Sequence, residues 1–460
     1  MRLIALGLFV LIALSAPAAP AGPRPNFVVI MAEAQGWANS SVAMDDRIPE
    51  SKSRIFQTPA IERLAREGMR FAYGYAASPR CTPSRAALLT GKSPAVLHMT
   101  YVGVGRADNV THARLLPPEP ILELPERETT VAELLRDAGY ATAHFGKWHM
   151  GRVSPGRHGF DESDGATNNG GPDNVASPNP KQAHGMTERG IAFMAKAAEA
   201  GRPFYLQLSH YPNQERKQGG GRNRDNVRSD SDDVDQTVGQ LLAALDRLGL
   251  AGNTYVIYTA DHGAQGRANE PLSGGKGSVL EGGLRVPFLI RGPGITPGVC
   301  SYQPVTACDL LPTLSRLAGR DTLLPAEVEG GDLSPLLHDP QGRGTVSRPR
   351  EELVFHFPHY DLGNGGPATA ILVGQLKLIR NYETGAIRLF DLAADPAEAH
   401  DLAARMPDKA AELGARLTAY LEAVKAQMAV PNPDFDPAKA DAEAADRRGN
   451  RGGGGGKKRP

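Results

Sequence analysis

The chain has 460 residues, with 51 Lys and Arg against 51 Asp and Glu, and this zero balance argues against a nucleic-acid binder, which carries a basic excess. Its 41% hydrophobic and 22% charged residues are ordinary for a globular protein, and the length is ample for a large core and more than one domain. Three cysteines, Cys81, Cys300 and Cys308, exclude a disulfide scaffold and a multi-cysteine zinc array, while 52 glycines and 37 prolines, about a fifth of the chain, mark it as loop-rich.

At the N-terminus, Arg2 precedes an apolar run from Leu3 to Leu14, and small residues follow from Ala16 to Ala21. This reads as a signal peptide over residues 1–21 and predicts export, to a periplasm or to the medium. The run is short for a spanning helix, and no other segment approaches the ~18 apolar residues that stable membrane insertion needs. Asn26 to Ala32 is a continuous apolar run, as in a strand buried on both faces. Thr58-Pro59 opens a helix that Gly68 stops, with Thr58 as N-cap and Pro59 in the first turn. Thr130-Val-Ala-Glu133 is a capping box for a helix that ends at Gly139. Tyr140–Phe145 and Phe204–Leu208 read as strands. Gln214–Arg228 is polar and Gly/Arg-rich and reads as a surface loop. Val234, Val238, Leu241, Leu242, Leu245 and Leu248 then share one face of a long helix. Thr254–Thr259 and Val286–Ile290 follow as strands, and 309–317 as a helix. The alternation predicts an α/β fold with a large mixed, mostly parallel sheet flanked by helices.

Composition shifts after Leu337, and 338–350 reads as a linker. Short strands at Leu353–Phe357, Ala368–Leu372 and Leu376–Ile379, then an amphipathic helix from Lys409 to Val424, predict a small C-terminal α+β domain. The expected organisation is a catalytic domain over 22–345, the small domain over 346–430, and a disordered basic tail over 431–460.

The segment most informative about chemistry is Cys81-Thr-Pro-Ser-Arg85, followed by Leu89-Thr-Gly91. Cys81 stands just before a predicted short helix over 84–89, where unpaired N–H groups favour a developing anion. This pattern resembles the modification motif of the sulfatase family, within the alkaline-phosphatase-like superfamily. Other segments resemble that family in its order: Gly146-Lys147-Trp-His149-Met-Gly151, Thr259-Ala-Asp261-His262-Gly263, the loop Gly274-Gly-Lys276 through Glu281 and Arg285 to Pro287, Asp309-Leu-Leu-Pro-Thr313, and Leu389-Phe-Asp-Leu392 with Asp395-Pro396.

The resemblance covers roughly residues 25–428 and implies hydrolysis of sulfate esters. It implies oxidation of Cys81 to formylglycine by a formylglycine-generating enzyme. The hydrated aldehyde is a gem-diol, of which one hydroxyl attacks sulfur and the other lets the aldehyde reform as sulfate leaves. It implies Arg85, Lys147 and Lys276 as charge partners of the anion, His149 on the diol, and His210 on sulfate or the leaving oxygen. It also implies a divalent cation, usually Ca2+, bound by oxygen ligands. Asp261 and His262 match one ligand pair. The other, normally Asp-Asp after the first strand, is Glu33-Ala34 here. Ala34 offers no side-chain oxygen, so the metal affinity or the metal itself is expected to differ. Export and family together suggest extracellular sulfated glycans or small sulfate esters as substrates. Two other readings stay open at this level. One is a relative that binds sulfated glycans through Lys147, Lys276 and Arg85 without turnover. The other is a phosphonate or phosphate-ester hydrolase on the same scaffold. Removing Cys81 as formylglycine leaves Cys300 and Cys308 as an even pair, for which a disulfide is an open question.

Overall fold

The computed structural model describes residues 24–103, 113–172, 181–212, 224–265, 269–320, 323–361 and 365–439. The expected signal peptide lies outside the described residues, as do 440–460 of the expected tail and 214–223 of the expected loop. Where that loop is described, from Arg224, it is already helix.

The main elements in chain order are strand β1 (Asn26–Ala32), helix α1 (Pro59–Glu67), β2 (Met69–Phe71), α2 (Cys81–Thr90), α3 (Val131–Asp137), β3 (Ala141–Gly146), β4 (Glu162–Ser163), α4 (Lys181–Glu199), β5 (Phe204–Ser209), α5 (Arg224–Arg247), β6 (Thr254–Ala260), β7 (Leu289–Arg291), β8 (Cys300–Ser301) and α6 (Leu310–Leu317). The strands form one eight-stranded sheet in the order β8-β2-β7-β6-β1-β5-β3-β4. Pairing is parallel except on the two sides of β7, which runs antiparallel to β2 and β6.

The continuous apolar run of β1 is explained by burial on both faces. Phe27, Val29 and Met31 pack with Leu88 of α2 and Leu311 of α6. Val28, Ile30 and Ala32 pack on the opposite side with Ile61 of α1 and Leu241 of α5. The result is a sheet sandwiched between two helical layers.

The capping box of α3 forms in full, with Thr130 Oγ1 accepting from Glu133 N and Glu133 accepting from Thr130 N. Thr58 behaves differently from the expectation. Its hydroxyl faces Ser41, and the first turn of α1 is capped instead by Asp235 of α5, which accepts from Ala60 N at 3.1 Å and Ile61 N at 2.8 Å. A carboxylate from a packed neighbour satisfies these donors as well as a local side chain does. Helix α4 was not anticipated, because its polar first half shows no apolar stripe.

The C-terminal part is an antiparallel meander of β9 (Leu353–Phe357), β10 (Ala368–Val373), β11 (Leu376–Asn381) and β12 (Ile387–Asp391), followed by helix α7 (Pro407–Ala423). Helix α7 covers one face of this sheet. The other face packs on Tyr73, Tyr75 and Leu284 from earlier in the chain. The chain stays ordered past the expected start of the tail. Val430 and Pro431 pair with Leu116 and Leu115, and Asn432 bonds the backbone of Ala113.

Cys300 and Cys308 are both unpaired. Cys300 lies on the edge strand with its Sγ toward Met44 O, whereas Cys308 is buried against Ala77 and Ala87. Among the described residues no helix is long and apolar enough to cross a membrane.

Candidate active site

The sheet order places β1 between β5 and β6, with crossovers leaving to either side. Such a reversal opens a crevice at the carboxyl ends of parallel strands. The residues just beyond four of these ends are Glu33, Lys147, His210 and Asp261. Their backbone N–H groups continue the ladder: Asp261 N donates to Ala32 O at 3.1 Å, His210 N to Met31 O at 2.9 Å and Lys147 N to Ser209 O at 2.8 Å. Parallel register, set by the cores on both faces, therefore lines these residues up side by side. Gly146 is needed where β3 turns out of the sheet. Its φ is +96°, and a Cβ there would lie 2.0 Å from Ser209 O.

Helix α2 begins at Cys81 itself, three residues earlier than predicted. Pro83 fits in the first turn, where its missing N–H costs nothing. The helix carries Cys81 and Arg85, one turn apart, onto the strand ends.

The Cys81 side chain, 3% exposed, is surrounded by charge. Its Sγ lies 3.1 Å from His262 Nε2, 3.4 Å from Glu33 Oε1 and 3.9 Å from Lys276 Nζ, and the His149 ring is close enough to interact with it. Arg85 is buried and bridges two carboxylates, with Nη2 at 3.0 Å from Glu33 Oε2 and 2.8 Å from Asp261 Oδ2. Its Nη1 donates to Lys147 O. Lys147 Nζ donates to Glu33 Oε2 at 2.9 Å, and Lys276 Nζ stands 3.6 Å from Glu33 Oε1.

Burial alone pushes the Cys81 thiol up, as does Glu33, but Lys147, His262 and Lys276 outweigh both and hold it well below the usual thiol range. Burial likewise raises Glu33, and Lys147, Lys276 and Arg85 reverse this, so Glu33 stays charged. Asp261 goes up instead, because burial and the neighbouring Glu33 charge exceed what His262 and Arg85 return. His262 is raised, since Asp261 more than offsets its burial.

Two members sit in left-handed backbone, His149 at φ +57° and Ala34 at φ +51°. His149 is held there through its backbone, accepting from Thr82 Oγ1 at 2.7 Å and donating to Thr167 O at 2.9 Å. Ala34 N donates to Asp261 Oδ1 at 3.0 Å. Gln35 turns away from the cluster, its amide oxygen taken by the Tyr258 hydroxyl and its amide nitrogen bonded to Asn39 O.

Of the sequence-predicted site residues, Cys81, Arg85, Lys147, His149, Lys276, Glu33, Asp261 and His262 converge. His210 does not join them. Its Nε2 bonds Thr237 Oγ1 at 2.9 Å under α5, its Nδ1 has no partner among the described residues, and burial lowers it to about 4, so it is neutral there. Sequence reasoning missed Thr82, the Ala34 amide and the Gly263 carbonyl, which accepts from His262 Nδ1 at 2.9 Å. A backbone contact carries no residue-type signal. It also missed the pairing of Arg80, beside Cys81, with Asp361 of the C-terminal part. His356 and His359 of that part bond Thr369 and Thr100 and stand outside the cluster.

A family model described as Sulfatase matches residues 25–320, and one described as N-sulphoglucosamine sulphohydrolase, C-terminal, matches residues 275–427. Arylsulfatase A of Homo sapiens is 35% identical over an alignment covering 84% of this chain and 80% of that protein. N-acetylgalactosamine-6-sulfatase of Mus musculus is 32% identical, covering 80% and 74%. Among solved structures, Ps i-CgsB in complex with k-i-k-neocarrahexaose superposes with a TM-score of 0.70 at 22% identity, covering 93% of this chain and 99% of that one.

Proposed function

This chain belongs to the sulfatase family of sulfuric-ester hydrolases, and on that premise we propose that it is exported and cleaves sulfate esters of glycans with formylglycine made from Cys81. The observation that carries this reading is the position of Cys81. It stands on the first turn of a helix, inside its modification motif, with Lys147, Lys276, His149 and His262 around it. A simple structural cysteine has no use for such surroundings. In an exported chain a cation-rich pocket around one buried side chain is suited to an anionic ester.

Formylglycine supplies a hydroxyl nucleophile that is regenerated after each turnover. The residues around it divide the remaining work. Lys147 and Lys276 hold the sulfate oxygens and offset charge that grows on them as the S–O bond breaks. Lys276 is 21% exposed at its side chain, so substrate enters on its side of the cluster. His149 holds the proton of the attacking hydroxyl. Arg85, sealed beneath, keeps Glu33 and Asp261 in place and charged against each other's repulsion. His210 takes no part, because its ring is committed to Thr237. Glu33, Asp261 and His262 would hold a divalent cation, which adds positive charge on the sulfate. Their donor atoms and Cys81 Sγ all lie within 4.8 Å of one another, so the residues present fit a small ion.

The test is mass spectrometry of the tryptic peptide containing Cys81 from protein co-expressed with a formylglycine-generating enzyme, alongside turnover of an aryl sulfate and of sulfated oligosaccharides. Conversion of the thiol to the aldehyde together with sulfate release is expected. An unconverted thiol in protein that still turns over would overturn the formylglycine step. A converted peptide with no release from any glycan would overturn the substrate class.

A further inference from the structure

The donor set around position 81 does not suit a calcium ion. Calcium takes six to eight oxygens, and its affinity follows the number of charged ligands. Here Glu33 Oε2 is occupied by Arg85 and Lys147, and Asp261 Oδ2 is occupied by Arg85. Ala34 has no side-chain oxygen, and the Gln35 oxygen is held by Tyr258. Among the described residues, Glu33 Oε1 and Asp261 Oδ1 are the carboxylate oxygens of this cluster not paired with Arg85 or Lys147, and Asp261 Oδ1 already accepts from Ala34 N at 3.0 Å. The other two donors are an imidazole nitrogen and the atom at position 81. His262 is oriented for ligation, since its Nδ1 is engaged with Gly263 O and its Nε2 faces the cluster.

The donor atoms lie within 4.8 Å of one another, close enough to share one ion, and the kind of donor rather than the spacing separates zinc from calcium. From His262 Nε2 the separations are 3.1 Å to Cys81 Sγ, 3.5 Å to Asp261 Oδ1 and 4.0 Å to Glu33 Oε1, and Sγ to Glu33 Oε1 is 3.4 Å. Tetrahedral zinc, with bonds of about 2.0–2.3 Å, separates its ligands by about 3.3–3.8 Å. Nitrogen, sulfur and two oxygens in that arrangement are the donors of a borderline transition metal. Lys276 stands nearby at 3.6 Å from Glu33 Oε1 and weakens any cation alike, so it does not alter the preference.

We propose that Glu33, Asp261, His262 and the residue at position 81 select a four-coordinate, zinc-class divalent ion over calcium. The inference rests on reading this cluster as the active site, but its test does not involve turnover. The full chain, expressed without the maturation enzyme so that Cys81 keeps its thiol, is stripped with a chelator and titrated calorimetrically with Zn2+ and with Ca2+. One Zn2+ per chain is expected, bound at least 100-fold more tightly than Ca2+. Co2+ should give the intense visible bands of a four-coordinate site and a thiolate charge-transfer band that Cys81→Ser abolishes. His262→Asn should lower Zn2+ affinity at least tenfold, and Glu33→Gln does the same if the first variant fails to fold. Ala34→Asp, which adds an oxygen, should narrow the gap between the ions. Protein carrying formylglycine should keep a tenfold preference for Zn2+ through the three remaining ligands. Calcium binding as tight as zinc, or the weak spectrum of six-coordinate cobalt, overturns the proposal. Absence of sulfate release with tight zinc binding would count against the enzymatic reading and leave the metal assignment standing.

Discussion

The cluster around Cys81 and the cluster around Lys377 are built from the same kinds of side chain. In the second, Lys377 Nζ of β11 pairs with Glu281 Oε1 at 2.7 Å and Glu398 Oε1 at 2.8 Å, while Arg285 Nε bonds Glu281 Oε2 at 2.6 Å. Tyr75 OH adds a bond to Glu281, and the Arg285 guanidinium lies 4.3 Å from the centre of the Tyr73 ring. Every ionic side chain there has zero exposure, and two cations meet two anions. Around Cys81, three cations (Arg85, Lys147 and Lys276) meet two carboxylates, and Lys276 reaches solvent. Backbone strain does not separate the two, since Glu398 is also left-handed at φ +55°. The difference lies in balance and access. A closed, neutral ionic cluster ties the C-terminal sheet to the segment around Glu281 and Arg285, whereas an open cluster with surplus positive charge has room for an anion.

This comparison is broken most directly at Cys81. Cys81→Ala should reduce sulfate-ester turnover by about 10⁴-fold or more, with the unfolding midpoint little changed, as judged by steady-state kinetics and a thermal melt. In the closed cluster the effect should invert. Lys377→Met leaves Glu398 without its cation, and loss of one partner of a buried ionic group costs about 3–5 kcal/mol. Urea unfolding should show that loss while turnover per folded molecule stays near wild type. A catalytic defect exceeding tenfold would mean that the two clusters are not separable. Lys276→Met sharpens the point for a cation that is partly solvated. Its turnover should fall about 10²–10³-fold, with stability within about 1 kcal/mol.

The smallest expected effect concerns pH. His356, on β9, is held neutral by burial, which lowers it to about 4. Above pH 6.5 it is neutral folded or unfolded and contributes no pH dependence. As pH falls from 6.5 towards 4, the unfolded chain takes up the proton and the folded chain does not, so stability falls, by roughly 2–3 kcal/mol for this group. Unfolding measured at pH 7 and pH 4.5 should show a shallower loss in His356→Gln than in wild type. An unchanged slope would mean that this site is protonated in the folded protein.

Much of the fold was legible because its signals are local. The apolar runs of β1, β5 and β6 report burial on two faces, and the Thr130–Glu133 box fixes the start of α3 with its own atoms. Thr58 was misread because its hydroxyl found Ser41, and Asp235, far along the chain, took over the cap. Strand β12 is short, and the apolar positions of helix α4 fall mostly in its second half, so both passed unnoticed. Among the site residues, His210 fits its motif by type, yet helix α5 offers Thr237 to its ring first. Cys300 and Cys308 form an even pair by count, but the fold seats one at a sheet edge and the other under α2.

By itself the sequence determined the family, the class of fold and the residue types of the chemistry, since motifs and apolar periodicity are properties of neighbouring residues. Only the tertiary structure decided which of those residues meet. Parallel register brought Glu33, Lys147 and Asp261 to adjacent strand ends, α2 set Cys81 and Arg85 upon them, and Arg85 and Tyr258 claimed the oxygens that a calcium ion would need. The physical reason is that hydrogen-bond partners and charge balance are settled by proximity in space, and strand order creates that proximity between segments as far apart as Asn26 and Thr254.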